Sequence, residues 1–306
     1  MRVAAIDIGT NTVLLLVAEK RDGKLVAVEE HATITRLGQG VDKSRTLAPE
    51  AVERTNACLD RYADIVAKLG VARTDVVGTS AMRDAGGGEA VRAHVKARFG
   101  VAARTISGDE EARLTFSGAL SGLSLPDGRV IVFDIGGGST EVVDGDRETR
   151  AISFAHSYDV GSVRLTERHV RTDPPSAEER AAVERTASEA LSTVPESVRG
   201  APVVGIAGTI TTLAAVSLGM TTYDGARVHG HILQLAELER VVEMLALARL
   251  EDRKKIPGLE PKRADVIVAG GLVALAFLRR VGAPSVVVSD RGVRWGLAEE
   301  LADASL

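Results

Sequence analysis

The chain has 306 residues, 45% of them hydrophobic, a formal net charge of −4 and one cysteine, Cys58. That size can bury the cores of two domains, the charge excludes the global basic field of a nucleic-acid binder, and a lone cysteine excludes an internal disulfide or a cysteine-built metal site. The N-terminus shows no basic region leading into an apolar core and cleavage site, and Val13–Ala18 is too short to cross a bilayer; a soluble cytoplasmic protein is expected.

In chain order, the first element is a hairpin within Ala4–Glu19. An apolar run ends at Asp7, a small-residue turn (Gly9, Thr10, Asn11) reverses the chain, and a β-branched run follows. The same pattern returns within Ile131–Asp146: Asp134 stands 134−7=127 positions after Asp7, and Gly136, Gly137, Gly138 and Ser139 form the second turn. Such turns leave backbone N–H groups open to an anion, and the aspartate before each can hold a cation or its water shell. Two facing hairpins would clamp a phosphate chain with its metal.

After the first hairpin, Lys24–Ala32 reads as a third strand, and Arg36–Gly40 is a glycine-bearing loop that is either a connection or part of a ligand site. Pro49–Leu69 carries apolar residues at helical spacing and stops at Gly70. A short strand, Asp75–Gly78, leads into Thr79-Ser80-Ala81-Met82-Arg83-Asp84. The end of such a strand is where open α/β sheets place ligands, and the planar fork of Arg83 suits phosphate oxygens. Equally, Ser80 can cap a helix while Arg83 stays solvated. A helix over Glu89–Phe99 and a strand near Ala102–Ile106 follow.

Ser107 to Arg113 holds three consecutive carboxylates. Ser107 and Glu110 have capping-box spacing and Asp109 suits the helix dipole, which leaves Glu111 over. Crowding by like charges can raise a carboxylate toward the working pH, as a general base for water requires; a solvated helix face is the alternative. Ser121–Gly128 is the expected domain boundary.

In the second hairpin Glu141 stands where the first has Leu14, so Asp134 and Glu141 are two candidate cation ligands, unless Glu141 is simply an exposed strand residue. Val160–Leu165 turns into a helix, Ser176–Val194 is a long helix, and Val203–Ala207 is a strand leading to Gly208-Thr209, a helix N-terminus that can bind an anion or merely be capped by Thr209. His229-Gly230-His231 lacks a third metal ligand at a recognisable spacing. Helices near Leu235–Ala248 and Ala264–Val281, a strand at Ser285–Ser289 and a helix over Val293–Ala302 complete the chain, the last able to return to the first domain.

DIGTNT, TSAMRDA, ISGDEEARLTFSG, FDIGGGSTE, GIAGTITTLAA, YDGARVHG and SDRGVRWG occur in this order over nearly the whole chain. Together they resemble the exopolyphosphatase and guanosine pentaphosphate phosphatase (Ppx/GppA) family. The resemblance implies an α/β fold of two ribonuclease-H-like domains of the actin, sugar-kinase and heat-shock chaperone ATPase superfamily, with a cleft between them. The domains would be 1–124, with a terminal helix of about 296–306 packing back, and 125–295. By matched position Glu111 would be the general base, Asp134 and Glu141, with Asp7, the ligands of magnesium or manganese, and Ser80 and Arg83 the holders of the terminal phosphate. Gly9, Thr10 and Asn11 would form one phosphate loop, Gly136–Ser139 the other, with Thr209 lining the same cleft.

The expected activity is exopolyphosphatase, releasing orthophosphate from chain ends. A guanosine pentaphosphate phosphohydrolase, a non-catalytic phosphate-chain sensor and a kinase of the superfamily are the alternatives. A dinucleotide fingerprint is set aside because Gly136–Gly138 sits in a hairpin, and no P-loop triplet occurs. Two positions depart from the family pattern: Trp295, where glutamate is usual, and Gly87, where asparagine often follows the RDA motif. Many relatives also carry further C-terminal helical domains, so a preference for shorter chains is expected here. A homodimer is the family expectation.

Overall fold

Both halves of the chain begin with an antiparallel three-stranded meander and then add parallel strands through helical crossovers. The computed structural model describes residues 1–304 and divides into one unit of Met1–Gly118 with Val293–Leu306 and a second of Ala119–Gly292. In the first unit the elements are β1 (Arg2–Ile8), β2 (Thr12–Arg21), β3 (Lys24–Ile34), α1 (Val41–Ser44), α2 (Pro49–Lys68), β4 (Arg73–Gly78), α3 (Ser80–Asp84), α4 (Glu89–Phe99), β5 (Arg104–Thr105) and α5 (Gly108–Leu120). Its sheet has the order β3-β2-β1-β4-β5, with β1 and β4, then β4 and β5, parallel.

β1 explains the layering. It is a continuous apolar run because both faces are covered: Ala4, Ile6 and Ile8 join a core with Leu59 and Tyr62 of α2 and Val91 and Val95 of α4. Val3 and Ala5 turn the other way, into a core with Val293, Trp295 and Leu297 of the C-terminal helix Val293–Asp303. The last residues of the segment expected at about 296–306 lie outside the described residues. Tyr62 is buried yet satisfied, donating to the Val13 carbonyl at 3.1 Å and lying 2.9 Å from Thr33 Oγ1.

The second unit holds β6 (Arg129–Ile135), β7 (Thr140–Asp146), β8 (Ile152–Tyr158), α6 (Ser162–His169), α7 (Ala177–Leu191), β9 (Val203–Ile206), α8 (Ala207–Ser217), α9 (Gly225–Val228), β10 (Ile232–Gln234), α10 (Leu235–Leu247), α11 (Leu250–Arg253), α12 (Ile267–Val281) and β11 (Ser285–Val288). Its sheet order, β10-β11-β9-β6-β7-β8, repeats that of the first unit along β8-β7-β6-β9-β11, with β10 added antiparallel outside β11. This is the two-sheet α/β architecture expected from the resemblance. α7 starts on a complete capping box: Ser176 Oγ accepts from the Glu179 N–H, and the Glu179 carboxylate accepts from the Ser176 N–H.

Several elements differ from expectation. β8 and β10 have no counterpart in the sequence reading, because β8 is an edge strand without a regular alternation of buried and exposed residues and β10 is three residues long. The strand expected near Ala102–Ile106 shrinks to Arg104–Thr105. α12 begins at Ile267 rather than Ala264, since Pro261–Arg263 forms a separate 3-10 turn ahead of it.

Candidate functional site

In the first unit the three parallel strands deliver their carboxyl ends together, the edge at which α/β sheets bind ligands. Ile8 of β1 is level with Gly78 of β4, and Gly78 with Thr105 of β5. Beyond these residues lie, in turn, Gly9–Asn11, Thr79–Arg83, and the start of α5 with Glu111.

The Gly9–Asn11 turn is closed by the Gly9 N–H donating to the Thr12 carbonyl at 3.0 Å. Its carbonyls are taken by the Arg36–Gly40 loop: the Gly38 N–H donates to Thr10 at 2.8 Å, and the Thr35 and Arg36 N–H groups both donate to Asn11 at 3.0 Å. That loop is therefore a brace for the turn as well as a connection. Asn11 is 6% exposed, and neither its Oδ1 nor its Nδ2 meets a hydrogen-bond partner among the described residues.

Arg83 Nη1 donates to the Ile106 carbonyl at 3.1 Å and to Glu111 Oε2 at 3.0 Å. Arg83 is thus held against α5 and only partly exposed. Ser80 is the first residue of α3, not its cap, and its hydroxyl donates to Asp84 Oδ2 at 3.2 Å. Glu111 is 6% exposed, which removes the solvated-face alternative. The environment also differs from the expected crowding by like charges. Glu110 turns to Arg104 at 2.8 Å, so only half of the capping box with Ser107 forms, the Glu110 N–H donating to Ser107 Oγ at 3.1 Å. The charge facing Glu111 is the guanidinium, which favours the ionised carboxylate.

In the second unit the echo of the hairpins extends to their hydrogen bonds. The Gly136 N–H donates to the Ser139 carbonyl at 3.0 Å, the counterpart of Gly9 to Thr12. Here α6 takes the carbonyls: the Ser162 N–H donates to Gly136 at 3.0 Å, and the Val163 and Arg164 N–H groups to Gly137 at 2.9 and 3.0 Å. Arg164 Nε donates to the Gly138 carbonyl at 2.6 Å. The carbonyls of Gly136, Gly137 and Gly138 are thus all taken by α6.

Asp134 and Glu141 are direct cross-strand partners and so share one sheet face. Glu141 is 1% exposed, not an exposed strand residue, and Ser157 Oγ of β8 donates to its Oε1 at 2.6 Å. No group of three or more His, Cys, Asp or Glu side chains suited to a metal occurs among the described residues. A carboxylate pair that leaves its other positions to water and phosphate oxygen fits magnesium or manganese. Asp7 occupies the matching place in the first unit, but its cross-strand partner is Leu14.

Thr209 lies in α8, where Ala207 has a left-handed φ of 63°. It does not cap the helix; its hydroxyl donates to the Ile135 carbonyl at 3.0 Å and ties α8 to the second hairpin. Arg263 was invisible to the sequence reading: its guanidinium lies over Gly208, where a Cβ would come within 2.2 Å of it. Only a glycine signal at 208 hinted at such an approach. His229 faces Asp290 rather than a metal set, Nδ1 to Oδ1 being 3.1 Å.

Anion-binding turns at the carboxyl ends of parallel strands, with a buried carboxylate and arginine beside one and a carboxylate pair beside the other, define a phosphate-handling α/β protein. Residues 16–304 match the Ppx/GppA phosphatase family. The chain is 39% identical to Exopolyphosphatase 2 of Mycobacterium tuberculosis over 98% of both chains. Among solved structures it is similar to the Aquifex aeolicus Ppx/GppA family member (34% identity, TM-score 0.82, covering 100% of this chain and 99% of that one). An exopolyphosphatase from Cytophaga hutchinsonii superposes with a TM-score of 0.91 at 25% identity over 99% and 98% of the chains. The chain belongs to the Ppx/GppA phosphatase family.

Proposed function

We propose that the protein is an exopolyphosphatase, hydrolysing the terminal phosphoanhydride of inorganic polyphosphate to release orthophosphate. The observation that carries this reading is Glu111, buried, 3.0 Å from Arg83 and just beyond the carboxyl ends of β1, β4 and β5. The exopolyphosphatases among its relatives support the substrate class.

Phosphoryl transfer to water asks for in-line positioning and neutralisation of charge on the equatorial oxygens. Glu111, oriented by Arg83, accepts the proton of the attacking water. Arg83, held against Glu111 and Ile106, supplies positive charge to the terminal phosphate, with Ser80 beside it. The N–H groups of Thr10 and Asn11 with the Asn11 amide in the first unit, and the N–H groups of Gly137–Ser139 in the second, bind phosphate oxygens, and Thr209 holds the second turn to α8. Asp134 and Glu141 would hold a divalent cation, magnesium or manganese; when bound it would supply positive charge to the phosphate oxygens. The buried free thiol of Cys58 suits the reducing cytoplasm, and sedimentation is expected to give a homodimer.

The test is orthophosphate release from polyphosphate and from guanosine pentaphosphate, with and without a chelator, wild type beside Glu111→Gln. Cleavage of polyphosphate that the chelator abolishes, together with a loss of ~10²-fold or more in Glu111→Gln at unchanged fold, supports the proposal. Cleavage of the nucleotide alone replaces the substrate, and binding of polyphosphate without turnover makes the protein a phosphate-chain sensor.

A further inference from the structure

We propose that the C-terminal helix, Val293–Asp303, holds the Arg83–Glu111 pair in register, with Gly296 as the positioning residue at its contact with α5. The proposal rests on the reading of Glu111 as general base and adds a residue that this reading does not contain.

The placement begins with what brackets Glu111. It lies in the first turn of α5, its N–H donating to the Ser107 carbonyl at 2.9 Å. Ile106, just ahead of α5, and Leu114, one turn beyond Glu111, are both buried in the core formed with Val293, Trp295 and Leu297. Residues three apart on a helix are neighbours, so Leu114 is next to Glu111 on the surface of α5. Ile106 is also the residue whose carbonyl accepts from Arg83 Nη1 at 3.1 Å, the nitrogen that donates to Glu111 Oε2 at 3.0 Å. The C-terminal helix thus backs both members of the pair, Arg83 through Ile106 and Glu111 through Leu114.

The contact between the two helices leaves no slack. A Cβ added to Gly296 would come within 2.1 Å of the Leu114 carbonyl oxygen and 2.9 Å of its carbon, backbone atoms that retreat only if α5 moves with them. Carbon approaches a carbonyl oxygen to ~3.3 Å, so a methyl group at 296 demands a displacement of ~1 Å. Further along the same face of α5, Ser117 Oγ donates to Glu299 Oε2 at 2.9 Å, and Arg113 pairs with Glu300. Together these contacts set where α5 lies along its axis and how it is turned about it. The stakes are those of any group that must be held for in-line attack: a misplacement of ~1 Å costs ~10²-fold in rate.

A double-mutant cycle separates positioning from simple loss of stability. Orthophosphate release from inorganic polyphosphate is measured with magnesium present, and thermal unfolding checks the fold of each variant. Gly296→Ala is expected to lower kcat ~10²-fold with KM within about twofold of wild type, because the phosphate-binding turns stay in place. In the Glu111→Gln background the same substitution is expected to cost less than ~3-fold, since a carboxylate already removed cannot be misplaced. Ser117→Ala removes one hydroxyl and adds no bulk. It is expected to lower kcat in the same direction, to lose that effect in Glu111→Gln, and to carry the test where Gly296→Ala does not fold. A wild-type kcat in folded Gly296→Ala, or in Ser117→Ala where Gly296→Ala does not fold, overturns the proposal and leaves Glu111 as the base; so does a loss of equal size in both backgrounds. Wild-type turnover in Glu111→Gln alone overturns the proposal together with the reading it rests on.

Discussion

The pairing of Arg83 with Glu111 shows how one residue sets the surroundings of another. One guanidinium nitrogen, Nη1, contacts a backbone carbonyl and a carboxylate at once. Glu111 is thereby paired with a cation and not with its neighbouring carboxylates. Asn11 illustrates the complementary case of a buried amide with both polar atoms unmatched by the protein. Ala207 is the strained residue of the site, with φ of 63° where α8 starts. An L-residue there costs ~1–2 kcal/mol, more than the ~0.5–1 kcal/mol of backbone entropy that glycine loses on folding. Ala207→Gly is expected to stabilise the second unit by about 0.5–1 kcal/mol, visible as a higher denaturant midpoint at unchanged slope; a lower midpoint would show that the methyl group contributes packing that outweighs the strain.

At the scale of elements, helices serve the turns from behind. α6 caps the carbonyls of Gly136–Gly138 with its own first N–H groups and Arg164, so the shape of the second turn depends on how α6 is anchored. Part of that anchor is His169, in the last turn of α6, whose Nε2 lies 2.9 Å from Thr186 Oγ1 of α7. Burial holds the His169 ring below its ordinary value, and Arg168, Arg171 and Arg185 act in the same direction. The unfolded chain therefore takes up the proton first. Stability from this group is complete above the unfolded value of ~6.5 and is lost as pH falls through it toward the lower folded value. His169→Gln should flatten this part of the pH dependence between about pH 7 and 5, measured as the denaturation midpoint; an unchanged slope would assign it to other groups.

For the whole molecule, the chain has two sheets of the same order, and the first is completed by its last helix. Val293, Trp295 and Leu297 cover the face of β1 and β2 that α2 and α4 leave open, and Gly296 allows contact so close that a Cβ would lie 2.1 Å from the Leu114 carbonyl of α5. Trp295, 2% exposed, accordingly belongs to a core, which gives this departure from the family pattern a packing role. Gly87 has φ of 89°, a conformation that glycine adopts freely and asparagine tolerates. Trp295→Ala should cost the first unit ~3–5 kcal/mol. In calorimetry one of two unfolding transitions would move down while the other stays; a joint shift would mean that the chain unfolds as a single cooperative system.

What the amino-acid order determined by itself was everything with a local signature. The repeated Asp-Ile-Gly turns, the 3.6-residue periodicity of α2, the glycine stops and the apolar run of β1 are all encoded within a few turns of chain, where sterics and hydrophobic pattern act directly. The two hairpins were legible for this reason, down to the equivalence of Gly9 with Gly136. The pairings that give the candidate site its chemistry join residues far apart in sequence: Arg83 to Glu111 across 28 residues, Ser157 to Glu141 across 16 and Thr209 to Ile135 across 74. No local pattern specifies them, because they exist only once strand order and register bring parallel strand ends to one edge. Only the tertiary structure decided that Glu111 faces a cation instead of its neighbouring carboxylates, that Glu141 is buried, and that His229 meets Asp290 rather than His231.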